Sequence, residues 1–358
     1  MWNMTLGLGL DLIFHLGILA LCWTAYRQLD TAFSSFLRGA ILLASMGGLL
    51  SLICGGGLFG SMRLLGWLLF VYLPCFSLLA GHRLDGDASL LGRGLRLVST
   101  RILPASVMMI GIWAYLVEPY NLTVQNVEIS SPKLDRAVRV AVVADLQTDH
   151  VGDYERAALQ AVLDAEPDLI LLTGDYIQAA PSKRSGLYDE LQTLLNELEF
   201  DAPLGVFAVQ GDVDPPGWQS IFDGTSVQTW LRTTSVDMGG FRLTGLAPQD
   251  SRMGLPAIAE SRSFHILFGH APDFALEDPP ADLLIAGHTH GGQVQLPFIG
   301  PLLTLSRVPR SWASGVTELP TGQTLVVSRG IGMERGRAPR IRFLCPPEVV
   351  ILDLKPAP

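Results

Sequence analysis

Hydrophobic positions fall into two regimes along this chain. As far as residue 119 they are nearly continuous. No charged side chain lies between Gly39 and Met62, between Leu64 and His82, or between Ile102 and Val117, and Met4 to Ala25 is similarly apolar apart from Asp11 and His15. Runs near ~20 residues match the ~30 Å hydrocarbon core of a bilayer. They predict four membrane helices at about 4–25, 40–60, 64–81 and 102–119, the last with Pro104 in its first turn. The first is read as a span rather than a cleaved signal, because no Lys or Arg precedes it. Glycines 47, 48 and 55–57 fit close helix contact. Asp11 and His15, one helical turn apart, are expected to satisfy each other inside the bundle.

From Val138 the pattern shortens into apolar, β-branched runs separated by amphipathic stretches. Val138–Val143, Leu169–Leu172, Val206–Val209, Phe264–Phe268 and Ala281–Ala286 read as strands, and Tyr154–Leu163 and Leu187–Leu198 as helices. Phe241–Leu246, Thr324–Ser328, Ile341–Leu344 and Val349–Leu354 read as further strands. The resulting organisation is a transmembrane region over 1–119, a linker over 120–137 and a catalytic domain over 138–358. The pattern alone gives an α/β fold containing a βαβ unit.

The chemistry sits at the ends of these strands. Val138–Asp145 ends in a carboxylate and is followed by Gln147 and His150; Asp168–Asp175 is built the same way. Val206 leads to Gly211, Asp212 and Asp214, Phe264 to Gly269 and His270, and Ala281 to Gly287-His288-Thr-His290-Gly-Gly-Gln293. Ligand sites in open α/β sheets lie at the carboxyl ends of parallel strands, and neutral imidazole is the commonest metal-binding side chain. Each Asp alone reads equally as a turn or capping residue, and the His pair alone as a polar loop. The ordered set points to a metal site. His265, inside an apolar strand, reads as a core histidine; Trp218 and Trp230 read as packing residues.

In order and spacing the set resembles the calcineurin-like metallophosphoesterases, whose pattern runs Asp-x-His, Gly-Asp, Gly-Asn-His-Asp/Glu, Gly-His and Gly-His-x-His. The resemblance spans about residues 138 to 352. Gly291-Gly-Gln293, Ser328-Arg-Gly-Ile-Gly332 and Pro346-Pro-Glu348 are typical of the membrane-associated bacterial branch. It implies a four-layer α/β/β/α sandwich. It also implies two divalent ions (Mn, Fe or Zn), one held by Asp145 and His290 with Gln147 as a weak oxygen ligand or a residue behind the ligands, the other by Asp212, His270 and His288, with Asp175 bridging. A hydroxide between the ions would attack phosphorus. This chain departs from the family at two places, with Gln147 for the first His and Asp212-Val213 for Asn-His. Val213 cannot serve the leaving group as that His does. Asp214 and His150 are the nearest residues to stand in as catalytic groups.

The chain carries 34 acidic and 25 basic residues, and after residue 119 the counts are 29 and 18. That acidic surface is a poor match for nucleic acid. Cys22, Cys54 and Cys75 fall in spans, leaving Cys345 alone in the soluble part, so no disulfide framework is expected there. Arg27 and Arg38 flank the first loop, Arg83, Arg93, Arg96 and Arg101 the third, and Arg63 alone the second. The positive-inside rule then places both termini outside, with the catalytic domain periplasmic or extracellular. The expected activity is hydrolysis of a phosphoester or pyrophosphate bond in a lipid-linked substrate at the bilayer. The alternative is a catalytically impaired protein that uses the metal site to bind or sense a phosphorylated ligand.

Overall fold

The computed structural model describes residues 4–29, 33–84 and 89–357. It divides into two compact units, Met1–Tyr115 with Arg337–Pro339, and Leu116–Gly336 with Arg340–Pro358.

Among the described residues, four helices are long and apolar enough to cross a membrane, Gly7–Arg27, Phe33–Gly55, Leu58–Gly81 and Leu90–Tyr120, the first three within the first unit and the last ending in the second unit. The second helix ends earlier than its hydropathy suggests, because Gly56 (φ 66°) and Gly57 (φ 133°) turn the backbone where only glycine sits without strain. The next helix starts at once, so Arg63 lies inside it rather than in a loop. The last is much longer than expected. Widened five-residue π-turns occur at Leu68–Tyr72, Val98–Ile102 and Trp113–Val117, each ending two residues before Pro74, Pro104 or Pro119. A proline inside a helix clashes with the carbonyl four residues back, and the wide turn relieves that clash without ending the helix.

Packing here is selective. A side chain at Gly47 would meet Ile18 Cδ1 and Leu68 Cδ1 at 2.8 Å, whereas one at Gly48 would meet nothing within 4 Å. Asp11 and His15 do not pair with each other. Asp11 accepts two hydrogen bonds from Arg63 (2.6 and 2.8 Å), and His15 Nδ1 lies 2.8 Å from the Tyr72 hydroxyl. Both bonds come from Arg63 Nη2, and a permanently charged guanidinium donor holds a carboxylate better than an imidazole one turn away.

The second unit holds two six-stranded sheets. The first uses β1 (Thr123–Ser131), β2 (Val138–Val143), β3 (Leu169–Leu172), β4 (Val206–Val209) and β5 (Val227–Trp230). The second begins with β6 (Thr234–Asp237), β7 (Phe241–Gly245), β8 (Phe264–Phe268) and β9 (Leu283–Ala286). A small hairpin, β10 (Gln295–Leu296) with β11 (Gly300–Pro301), precedes β12 (Gly315–Glu318), β13 (Thr324–Val327) and β14 (Glu348–Pro356). The sheet orders are β1-β14-β2-β3-β4-β5 and β12-β13-β9-β8-β7-β6. Strands β2 to β5 run parallel, as do β7, β8, β9 and β13.

The inner faces interleave Val140, Leu171, Phe207, Phe264, Ile285 and Leu352 in one buried core. Helices Asp153–Asp164 and Pro181–Glu197 cover the first sheet through Ala158, Val162, Leu191 and Leu195. The second sheet is covered more thinly, by the short turns Pro248–Arg252 and Pro272–Glu277. The architecture is the α/β/β/α sandwich, preceded in the chain by the apolar helices.

Two segments differ from expectation. Within 120–137, read as a linker, β1 forms an edge strand whose partner is β14. Ile341–Leu344 is not a strand and makes only an isolated bridge at Phe343. Arg342 is the reason: its fully buried guanidinium donates to the carbonyls of Arg329, Gly330, Gly332 and Cys345, which bends this segment around it.

Candidate metal centre

Strand ends from both sheets converge on one site. Asp145 follows β2, Asp175 follows β3, Asp212 follows β4, His270 follows β8, and His288 and His290 follow β9. Asp212, His270 and His288 offer ligand atoms all within 4.8 Å of one another, as do Asp145, Asp175 and His270. His270 Nε2 lies 3.4 Å from Asp175 Oδ2 and 3.7 Å from Asp212 Oδ2; His288 Nδ1 lies 3.2 Å from Asp212 Oδ2. The two groups of ligand atoms therefore share His270.

The backbone is bent to aim them. Asp145 (φ 47°), Gln147 (φ 36°), Asp175 (φ 59°), His288 (φ 69°) and His290 (φ 49°) all sit in the left-handed region, which L-residues with side chains avoid and which clusters at functional sites. The loops lock together through Asp145 N–H to the Gly174 carbonyl (3.2 Å) and Gln147 N–H to the Asp175 carbonyl (2.8 Å). Gly174 permits the approach of the loop after β4 from the other side, since a Cβ there would meet Gly211 N at 2.4 Å.

Hydrogen bonds behind the site select the ligand atoms. His270 Nδ1 lies 2.9 Å from the Thr173 carbonyl, which fixes the proton there and turns Nε2 inward. His288 Nε2 lies 3.2 Å from the Leu305 carbonyl, leaving Nδ1 turned toward Asp212. Asp145 accepts the His288 amide at 2.9 and 3.1 Å, and Asp175 Oδ1 accepts that of Val213 at 2.8 Å.

Charge is correspondingly uneven. Burial pushes the Asp145 carboxyl up, to about 7, against the pull of His270. Burial would lower His270, but Asp175 and Asp145 outweigh it and raise its pKa to about 9, while Asp175 is held below its ordinary value by His270. Burial, with His270 and Arg252 nearby, takes His288 down to about 3, and burial holds His290 well below the usual imidazole range. Burial thus favours the neutral form of both rings.

Among the described residues, the buried side-chain atoms with no hydrogen-bond partner include four of the expected ligand atoms: Gln147 Oε1, His270 Nε2 and both ring nitrogens of His290. Buried polar atoms are nearly always satisfied. An amide oxygen and imidazole nitrogens left over beside carboxylates are donors that fit divalent cations.

The two residues expected to replace the missing imidazole are placed differently. Asp214 is buried, and its oxygens accept the amides of Asp175, Tyr176 and Gly211 at 2.8, 2.9 and 2.8 Å. It is a clamp between strand-end loops. Burial and the adjacent Asp175 charge raise its pKa to about 7 against those three donors. His150 is exposed and its ring lies over Gly152. Residues not anticipated from the sequence also reach the site. Arg252, at the end of the short helix Pro248–Arg252, forks onto Asp212 (Nε to Oδ1 2.9 Å) with Nη2 3.1 Å from His288 Nε2. Gln178 bonds Gln147 and Glu334. No local motif marks these positions.

A two-sheet sandwich whose strand ends gather carboxylates and imidazoles in this order defines a metal-dependent hydrolase of the two-metal class. A family model described as calcineurin-like phosphoesterase matches residues 138–292. An uncharacterized metallophosphoesterase of Bacillus subtilis, YkuE, is 30% identical over 270 residues, covering 68% of this chain and 89% of its own. Phosphodiesterase YaeI of Escherichia coli is 26% identical over 217 residues, covering 55% and 74%. UDP-2,3-diacylglucosamine pyrophosphatase LpxG of Chlamydia muridarum is 24% identical over 324 residues, covering 71% and 96%. The chain belongs to the calcineurin-like phosphoesterases, metal-dependent hydrolases of phosphoester bonds.

Proposed function

We propose that this protein is a membrane-anchored phosphoesterase that cleaves a pyrophosphate or activated phosphodiester bond in a lipid-linked substrate outside the cytoplasm. The observation that carries the reading is the convergence of Asp145, Asp175, Asp212, His270, His288 and His290, with unpartnered atoms left over. Bound there, two divalent ions would supply Lewis acidity and an activated water. Asp145, Gln147 and His290 would hold the first ion, Asp212, His270 and His288 the second, and Asp175 would bridge them.

The remaining residues bear on the substrate. Arg252 stands at the open edge of the second position, 40% exposed, and its planar fork suits a phosphoryl group. Val213 has no proton to give, Asp214 is occupied by backbone amides, and His150 faces solvent. An alkoxide leaving group needs a proton; a phosphate or nucleotide leaving group departs without one. That favours a pyrophosphate over a simple alkyl monoester. Residues Asn121 and Leu122 alone separate the last apolar helix from β1, a tether that would keep the domain at the bilayer surface. LpxG provides a relative whose named substrate is a lipid-linked pyrophosphate.

Orientation is argued from charge. With Arg63 drawn into a helix by Asp11, the second connection has no basic residue, which sharpens the contrast with the first and third. The test is hydrolysis by purified full-length protein in nanodiscs with Mn²⁺. Lipid-linked pyrophosphates should be cleaved faster than soluble aryl phosphomonoesters, with Asp175→Asn as the inactive control. The occupied state of Asp214 and the loss of the imidazole at Val213 also support a second reading, binding without turnover. Tight phosphoester binding at full metal occupancy with no hydrolysis of any of these substrates would select it.

A further inference from the structure

Gln147 occupies the position of an imidazole ligand, and its surroundings dictate which end of its amide faces the metal. An amide placed with N–H₂ inward would repel a cation; only the oxygen can bind one. Gln147 is fully buried. Its Nε2 donates to Gln178 Oε1 (3.1 Å), which also accepts the backbone N–H of Arg335 (2.5 Å). Gln178 Nε2 in turn donates to Glu334 Oε2 (3.1 Å).

The direction of this relay is fixed independently of either glutamine. A backbone N–H is only a donor, so the Arg335 amide requires the oxygen of Gln178 on its side, and Gln178 must direct its N–H₂ to the Glu334 carboxylate. Gln147 must then present nitrogen to Gln178 and leave Oε1 facing away, which is the atom found without a partner. The segment that imposes this is docked at further points. Glu334 N–H donates to Gln293 Oε1 (2.7 Å), and Arg335 Nε donates to the Gln147 carbonyl (2.9 Å).

We propose that Gln178 and Glu334 are positioning residues that hold Gln147 as an oxygen ligand, giving the protein two unlike metal positions. The first, Asp145, Gln147, Asp175 and His290, is dominated by oxygen and suits Mn²⁺ or Mg²⁺. The second, Asp175, Asp212, His270 and His288, has two imidazoles and suits Zn²⁺ or Fe²⁺ as well. The inference rests on the metal-centre reading above.

The test is Mn²⁺ binding to the full chain in detergent, followed by elemental analysis and by the electron paramagnetic resonance signal of a spin-coupled metal pair. Wild type should bind two ions. Gln178→Ala and Glu334→Ala should each weaken one of them by ~10- to 100-fold, the usual effect of removing a residue that orients a ligand, and lose the coupled signal while the second ion stays bound. That second ion reports on folding. The exchanged pair Gln178→Glu with Glu334→Gln keeps an acceptor against Gln147 Nε2 and should restore the first ion to within ~3-fold, far inside the loss expected from the single variants. Gln147→His should raise preference for Zn²⁺ over Mn²⁺ at the first position. Two ions bound as in wild type by both alanine variants, or no recovery in the exchanged pair, would overturn the relay while leaving the metal centre intact. A wild-type protein that takes up no ion would overturn the metal centre, and the relay with it.

Discussion

In the proposed assignment Asp175 would contribute to both metal positions, and its loop is fixed by the Asp214 clamp. Asp175→Asn keeps shape but removes the charge that offsets two cations. Elemental analysis should find both ions lost and assays nearly all activity gone. Arg252→Ala removes a charged donor rather than a ligand. It should leave metal content unchanged and raise KM by ~10-fold or more, in line with ~1.5–3 kcal/mol for hydrogen bonds to charged groups. Arg252→Lys should recover only part of this, because an ammonium lacks the planar fork. The candidate groups Asp145, Asp175 and His270, and Asp212, His270 and His288, were legible in the sequence because strand, glycine and polar side chain lie within a few residues of one another. Arg252, Gln178 and Glu334 were not, because each arrives from a loop or short turn whose path is set by tertiary packing.

Individual elements show where pattern reading succeeds and why it stops. Strands β2, β3, β4, β8 and β9 were legible as apolar runs because both of their faces are buried. Ile341–Leu344 looked like another, but one buried arginine bonded to four carbonyls outweighs local propensity. In the helices, hydropathy could not locate the glycine turn at residues 56–57, since glycine there is as uncharged as the helix around it. The packing contrast between adjacent glycines gives a direct check. Gly47→Leu should destabilise the helices by ~1–3 kcal/mol through overpacking, and Gly48→Leu should leave thermal aggregation in detergent unchanged. On β8, His265 is buried as expected of a core histidine, with Nε2 2.8 Å from Thr244 Oγ1 and Nδ1 3.1 Å from the Pro280 carbonyl. Burial lowers its pKa below the ordinary 6.5. The unfolded chain thus takes up this proton first on acidification, so the contribution to stability is present above pH ~6.5 and is lost as pH falls below it. Denaturation between pH 7.5 and 5 should fall less steeply for His265→Gln than for wild type; identical slopes would refute the assignment.

At the scale of the molecule, charge separates the parts: seven basic and five acidic residues up to 119, and a strongly acidic remainder. The orientation argued from the arginines of the first and third loops predicts that a reporter fused after Pro358 is active outside the cytoplasm, and activity only inside would reverse it. The sheet order β1-β14-β2 has a consequence for how the protein is made. The strand nearest the apolar helices in sequence finds its partner only in residues 348–356, which leave the ribosome after every other element of the sheets. The same late segment carries Glu348, whose carboxylate holds the Arg329 backbone amide at 2.8 Å beside the loop against Asp145. Helices can therefore enter the bilayer early in synthesis while the hydrolase stays unassembled until translation of this domain is finished. An arrested nascent chain ending before residue 348 should be anchored, protease-sensitive and inert.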